Sequence, residues 1–237
     1  MGCVAVGRQE GAARRTVEDM RIVIAGGHGQ IALRLERLLA ARGYEVAGLI
    51  RNPEQGDDLR EAGAEPVNCD LESATVEEVA AHLQGATAAV FAAGAGPGSG
   101  TERKVTVDRD AAVLFADAAE RAGVRRHIVV SAMGADVAHE GDEVFDAYLR
   151  AKGAADDHVR GRPGLDWTIL RPGQLTDDAG TGQVRLEAST GRGPVPREDV
   201  AAVIADLIET TATAGLTLEL ISGTTPVPVA VKDVAGN

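Results

Sequence analysis

Aromatic side chains are scarce in this chain: Phe, Tyr and Trp together make up 3% of its 237 residues. That leaves little material for a base-stacking surface. Basic residues are also in deficit, 24 Lys and Arg against 36 Asp and Glu, for a formal net charge of −12. Such a field repels nucleic acid and anionic membrane surfaces, so neither is expected as a partner. There are only two cysteines, Cys3 and Cys69, too far apart in sequence for a metal-ligand spacing. Cys69 falls at an expected buried strand end, and a reducing cytoplasm fits this usage. No apolar run approaches the roughly 18 residues that cross a bilayer. His28, His82, His127, His139 and His158 lack any paired spacing such as His-x-x-x-His, so no metal is expected.

What is abundant is Ala, Val, Leu and Ile, the palette of a parallel sheet held between Ala-rich helices. The opening MGCVAVGRQEGAARRTVED lacks the h-region of a secretory signal and has no helical face. Residues 1–19 are therefore expected to be a disordered extension, with Met20 as a candidate native start, and 20–237 to form one domain. From Arg21 onward short β-branched runs alternate with helical stretches, which predicts a Rossmann-type doubly wound α/β fold of about seven parallel strands. The strand candidates start at Arg21, Tyr44, Ala64, Ala86, Arg126, Asp166 and Leu216. Helices are expected over Gln30–Arg42, Gln55–Ala62, Val76–Leu83, Thr101–Ala122, Val144–Arg160 and Arg197–Glu209. In the first, Ile31, Leu35, Leu38 and Leu39 share a face that must cover the sheet. Gly43 and Gly123 stand where a left-handed residue ends a helix at low cost. In the last, Val200, Val203, Ile204 and Leu207 read as a core stripe without a catalytic role. The stretch 171–196, rich in Gly, Pro, Thr and Asp, reads as loops over a ligand cleft.

The first strand runs into IVIAGGHGQIALRL, which places Gly26, Gly29 and Ala32 at G-x-x-G-x-x-A spacing on a strand-to-helix turn. Gly26 permits the tight turn, Gly29 lets the backbone approach a pyrophosphate, and Ala32 keeps helix and strand close. Free amides at the helix start then face the phosphates, so Gly26, His28, Gly29, Gln30 and Ile31 are candidate cofactor contacts. The second strand ends in Leu49-Ile50-Arg51-Asn52, with no acid for a ribose 2′-hydroxyl. Arg51 is placed for a 2′-phosphate there, or is an ordinary solvated arginine, and His28 is a bystander or a supplement to it. The third ends at Asp70-Leu71, with Asp70 able to accept from an adenine amine, and the fourth at Ala92-Ala93-Gly94, small enough for a dinucleotide to lie on. These signals point to NADP(H) in preference to NAD(H), with NAD(H) still admissible.

Beyond the fifth strand, which ends at Ser131, Tyr148 and Lys152 occupy a Tyr-x-x-x-Lys spacing on an expected helix. Four residues apart they share one face. A lysine ammonium beside the phenol favours the phenolate, which would lower the Tyr148 pKa and suit it to acid/base work. Ser131 is then placed to hydrogen-bond a substrate carbonyl or hydroxyl. The alternative is a half-buried helical tyrosine with Lys152 on the solvent side.

The segments GGHGQIA, VSAMG, YLRAK, WTILRPGQLTDD and PREDVAAVI resemble the atypical short-chain dehydrogenase/reductase group, and the resemblance runs from about Arg21 to the C-terminus. It implies that Ser131 orients the substrate, that Tyr148 exchanges the proton, and that Lys152 holds the nicotinamide ribose and tunes Tyr148. Asp108 stands where the group's active-site Asn is usual. Arg171-Pro172-Gly173 resembles the segment passing the nicotinamide end, with Gln174 and Leu175 toward the substrate, although Pro172 and Gly173 serve equally as a rigid exit turn. The expected activity is an oxidoreductase acting on a small carbonyl or hydroxyl substrate, as monomer or homodimer. An epimerase or dehydratase with bound cofactor and a non-catalytic redox sensor are the alternatives.

Overall fold

A computed structural model of the protein describes residues 20–96 and 98–236. The expected extension 1–19, with Cys3, lies outside the described residues. Among those described, nine strands form one sheet in the order β11-β8-β10-β6-β5-β4-β1-β2-β3. The parallel part comprises β1 (Arg21–Ala25), β2 (Glu45–Ile50), β3 (Glu65–Asn68), β4 (Ala88–Phe91), β5 (Arg126–Val130), β6 (Asp166–Pro172) and β10 (Leu216–Ser222). These are the seven strands that the sequence predicts. The order reverses between β1 and β4, the switch point at which doubly wound sheets open a crevice for ligand.

The central strands β1, β4 and β5 are buried almost throughout because both faces are covered, and successive side chains part to opposite sides. Ile22 and Ile24 join the cluster beneath α1 (Gln30–Ala41) and α7 (Arg197–Glu209), while Val23 and Ala25 join the cluster beneath α3 (Val76–Leu83) and α5 (Ala112–Ala122). Helix α2 (Gly56–Glu61) follows β2, and α3 opens on a capping box between Thr75 and Glu78. Gly43 and Gly123 follow α1 and α5 with φ of 88° and 74°, the left-handed values expected of them.

Three features differ from expectation. The long helix 101–122 is not uniform: α4 (Thr101–Arg103) runs into a π-helical stretch, Lys104–Ala111, before α5. The wider turn, common at functional sites, carries Asp108. The stretch 171–196 is not only loop, since it contains β7 (Gln174–Thr176), β8 (Gln183–Glu187) and β9 (Pro194–Pro196). Strand β8 alternates buried Val184 and Leu186 with exposed Gln183, Arg185 and Glu187, a period of two that glycine- and threonine-rich flanks obscure. It pairs antiparallel with β10 and with β11 (Thr225–Pro226), while β7 and β9 pair with each other. Finally α8 (Val227–Ala235) covers the sheet beyond β11. Helix α6 (Val144–Arg160) brings Tyr148 and Lys152 to the crevice.

Candidate functional site

At the glycine turn, Gly26 adopts φ +78° and lies so close to β4 that an added Cβ would sit 2.6 Å from the Ala93 Cα. Gly29 caps α1 without a side-chain hydrogen bond. Its amide donates to the Gly26 carbonyl at 2.8 Å and its carbonyl accepts from Leu33 at 2.9 Å. The amides of Gln30, Ile31 and Ala32 have no acceptor among the described residues. Unpaired first-turn amides, the positive end of α1 and a floor of Ala92, Ala93 and Gly94 fit a pyrophosphate.

Two cavities meet over that floor. One, of about 240 Å³, runs past Gly26 and Gly29 to Arg51, Asp70 and Leu71. The other, of about 1060 Å³, holds Ile31, Asp108, Ser131, Tyr148, Lys152 and Pro172, with Gln174 and Leu175 also on its wall. Ala92, Ala93, Gly94 and Ala95 line both. All the site residues read from sequence except Gln30 thus line one or other of these adjoining cavities.

Several of these side chains have partners within the protein. His28 is turned to Asp58 on α2 at 2.7 Å. Arg51 pairs with Glu72 at 3.1 Å, and Asp70 Oδ1 accepts the Glu72 amide at 3.1 Å, fixing the turn after β3. Cys69 is half-buried rather than buried. Ser131 donates its hydroxyl proton to Asp156 Oδ2 at 2.9 Å, which leaves its oxygen lone pairs as the free side of the hydroxyl; Asp156 also accepts from Arg171, at 3.0 and 2.7 Å. Asp156 follows Lys152 by one helical turn, and the sequence reading missed it.

Lys152 is buried, donates to the Val130 carbonyl at 3.0 Å and stands 3.5 Å from Asp108 Oδ1. Asp108 Oδ2 accepts the Ala95 amide at 3.4 Å, leaving Oδ1 without a hydrogen-bond partner. The Lys152 Nζ lies 5.9 Å from the centre of the Tyr148 ring, and Lys104 lies over that ring at 5.3 Å. The expectation that Lys152 lowers the Tyr148 pKa is reversed in this arrangement: burial first, then the carboxylates of Asp108 and Asp156, push the phenol well above its ordinary value. The Lys152 ammonium is held by the Val130 carbonyl and faces Asp108, and the upward shift keeps Tyr148 a neutral phenol.

Sequence reasoning also missed Arg103 and Thr106, which join Glu72 from across the groove at 2.9 and 2.7 Å. No local spacing could have found them. Among the described residues no group of acidic, His and Cys side chains could hold a metal, and no helix is long and apolar enough to cross a membrane.

Fold and groove together define a dinucleotide-binding α/β protein of the Rossmann type. The family model for NAD(P)H-binding proteins matches residues 26–211, and the chain belongs to that family, within the atypical short-chain dehydrogenase/reductases. It is 35% identical over 214 residues to the Bacillus subtilis protein named "Uncharacterized sugar epimerase YhfK", covering 90% of this chain and 99% of that one. A solved Bacillus halodurans structure, provisionally named an NAD-dependent epimerase/dehydratase, is 36% identical with a TM-score of 0.83 over 90% of this chain and 99% of its own. The Lactococcus lactis oxidoreductase ylbE is 27% identical with a TM-score of 0.80 over 92% and 98%. The cofactor class is therefore a nicotinamide dinucleotide.

Proposed function

We propose that the protein is an NADP(H)-dependent oxidoreductase that reduces the carbonyl group of a small substrate, with Tyr148 supplying the proton. The observation that carries this reading is the continuous groove: unpaired amides of α1 at its middle, Arg51 at one end, and a neutral Tyr148 above the Lys152–Asp108 pair at the other.

Gln30, Ile31 and Ala32 would hold the pyrophosphate through their amides, Ala92 to Gly94 the dinucleotide backbone, and Asp70 the adenine amine. Arg51 would take a 2′-phosphate. The bound cofactor supplies a hydride at the nicotinamide. Tyr148 donates a hydrogen bond, then its proton, to the substrate oxygen as negative charge grows there. Ser131 accepts from the resulting hydroxyl, because its own proton is held by Asp156. Lys152 keeps a positive charge beneath the phenol and opposes the carboxylates that would otherwise make phenolate formation costly. Cytoplasmic location and a monomeric or homodimeric state complete the reading.

The test is NADPH oxidation measured across a panel of carbonyl compounds and quinones. Tyr148→Phe is expected to cut turnover about 10²–10⁴-fold while leaving NADPH affinity intact. Unchanged oxidation in that variant removes Tyr148 from the mechanism. Firm cofactor binding with no turnover on any carbonyl favours a redox sensor. The epimerase name of YhfK favours a second reading, and inversion of a substrate centre without net NADPH consumption would identify it.

A further inference from the structure

At the end of the groove beside β2, a carboxylate occupies the centre of a cationic fork. Glu72 Oε2 receives Arg51 Nη1 at 3.1 Å and Arg103 Nη2 at 2.9 Å, and its Oε1 accepts from Thr106 at 2.7 Å. The three partners come from two elements on opposite sides of the pocket, the end of β2 and the α4–π segment. Glu72 is held in place by its turn, where Asp70 Oδ1 accepts the Glu72 amide and the Asp70 carbonyl accepts those of Ser73 and Ala74. Arg51 and Arg103 remain partly open to solvent, at 54% and 38% of their side-chain surface. Both line the same cavity as Asp70 and Gly29.

Two guanidinium groups converging on one oxygen form the donor set that binds a phosphate monoester. A phosphate seated there would meet Glu72 as a like charge a few ångströms away, a repulsion a ribose hydroxyl does not feel. We infer that Glu72 is a specificity-determining residue that competes within the protein against the 2′-phosphate of an NADP-type ligand for Arg51 and Arg103. The inference rests on the reading that this cavity receives the adenosine half of the dinucleotide. Glu72 thereby holds NADP(H) affinity below what the two arginines alone would give, and narrows the gap between the two coenzymes.

The experiment is calorimetric titration of the full chain and of Glu72→Gln and Arg103→Ala with NADPH, NADH, adenosine 2′,5′-bisphosphate and AMP. Glu72→Gln keeps the size and the Thr106 contact but removes the charge. It is expected to tighten NADPH and adenosine 2′,5′-bisphosphate about tenfold, with less gain at high salt, and to leave NADH and AMP unchanged. Arg103→Ala should weaken the two phosphorylated ligands alone. Unchanged or weaker NADPH binding in Glu72→Gln overturns the proposal, as does selective loss of NADH, which would make Glu72 a reader of the 2′-hydroxyl. Failure of the underlying reading looks different, because the unmutated protein would then bind neither dinucleotide, and both proposals fall.

Discussion

Lys152 Nζ and Asp108 Oδ1 stand 3.5 Å apart with side-chain exposures of 5% and 1%, an ion pair drawn almost wholly out of water. Removing one member of such a pair strands the other charge. Lys152→Met is expected to destabilise the protein by about 3–5 kcal/mol in urea denaturation, and the double variant with Asp108→Asn to recover a large part of that loss. Additive losses would show that the two charges do not interact.

Asp108 is also the leading charge that raises the Tyr148 pKa, after burial. Asp108→Asn should let the phenol ionise more readily, moving the alkaline limb of a pH–rate profile to lower pH. A limb that stays in place would separate Tyr148 from the titrating group.

Gly26 can scarcely tolerate a side chain. With φ at +78° and an added Cβ 2.6 Å from the Ala93 Cα, Gly26→Ala combines about 1–2 kcal/mol of left-handed strain with a backbone clash. Loss of NADPH binding and a lower Tm, by about 2–4 °C per kcal/mol, are expected in calorimetry. Full affinity would mean the turn can open without harming the site.

Asp156 accepts from Ser131 and twice from Arg171 while fully buried, and burial pushes its carboxyl up against the pull of Arg171. It is a positioning residue for Ser131. Asp156→Asn should cost about 3 kcal/mol of stability and raise KM for a hydroxyl substrate more than it weakens the cofactor. Equal losses in both would leave it a purely structural role.

Two buried groups are expected to give the stability a pH profile of opposing slopes. Glu36, beneath Gly27 and Gly48 with neither oxygen hydrogen-bonded, is pushed up to about 8 by burial. The folded protein keeps this proton while the unfolded chain loses it near 4.5, so stability falls as pH rises between those values and stays low above them. His127, packed on Phe115 at 5.8 Å, is pushed down to about 3 by burial and the neighbouring Arg126. Below 6.5 the unfolded chain takes a proton the folded one refuses, so stability falls on acidification toward pH 3. Glu36→Gln should remove the alkaline slope, on the order of 1.4 kcal/mol per pH unit, and His127→Leu the acid one. Parallel denaturation curves for wild type and variants at every pH would refute both assignments.

The glycine turn, the seven parallel strands and the Tyr148–Lys152 face were legible in the chain because each rests on a spacing of a few residues. A strand's unbroken apolar run, a positive-φ glycine and a four-residue helical repeat are local properties of sequence, and the structure keeps them. Strand β8 carried its own period of two, yet glycine-rich flanks concealed it. Helix α8 and the π turn bearing Asp108 had no comparable signal, since their form depends on what they pack against. Only tertiary structure brought Glu72 between Arg51 and Arg103, 21 and 31 residues away, and Asp156 between Ser131 and Arg171, 25 and 15 away. It also turned Lys152 toward Asp108 and reversed the expected pull on Tyr148. Sequence marked most of the groups singled out along the groove, whereas Glu72 and Arg103 and the balance of charge there depend on distance and burial, fixed once the sheet order sets which loops face one another.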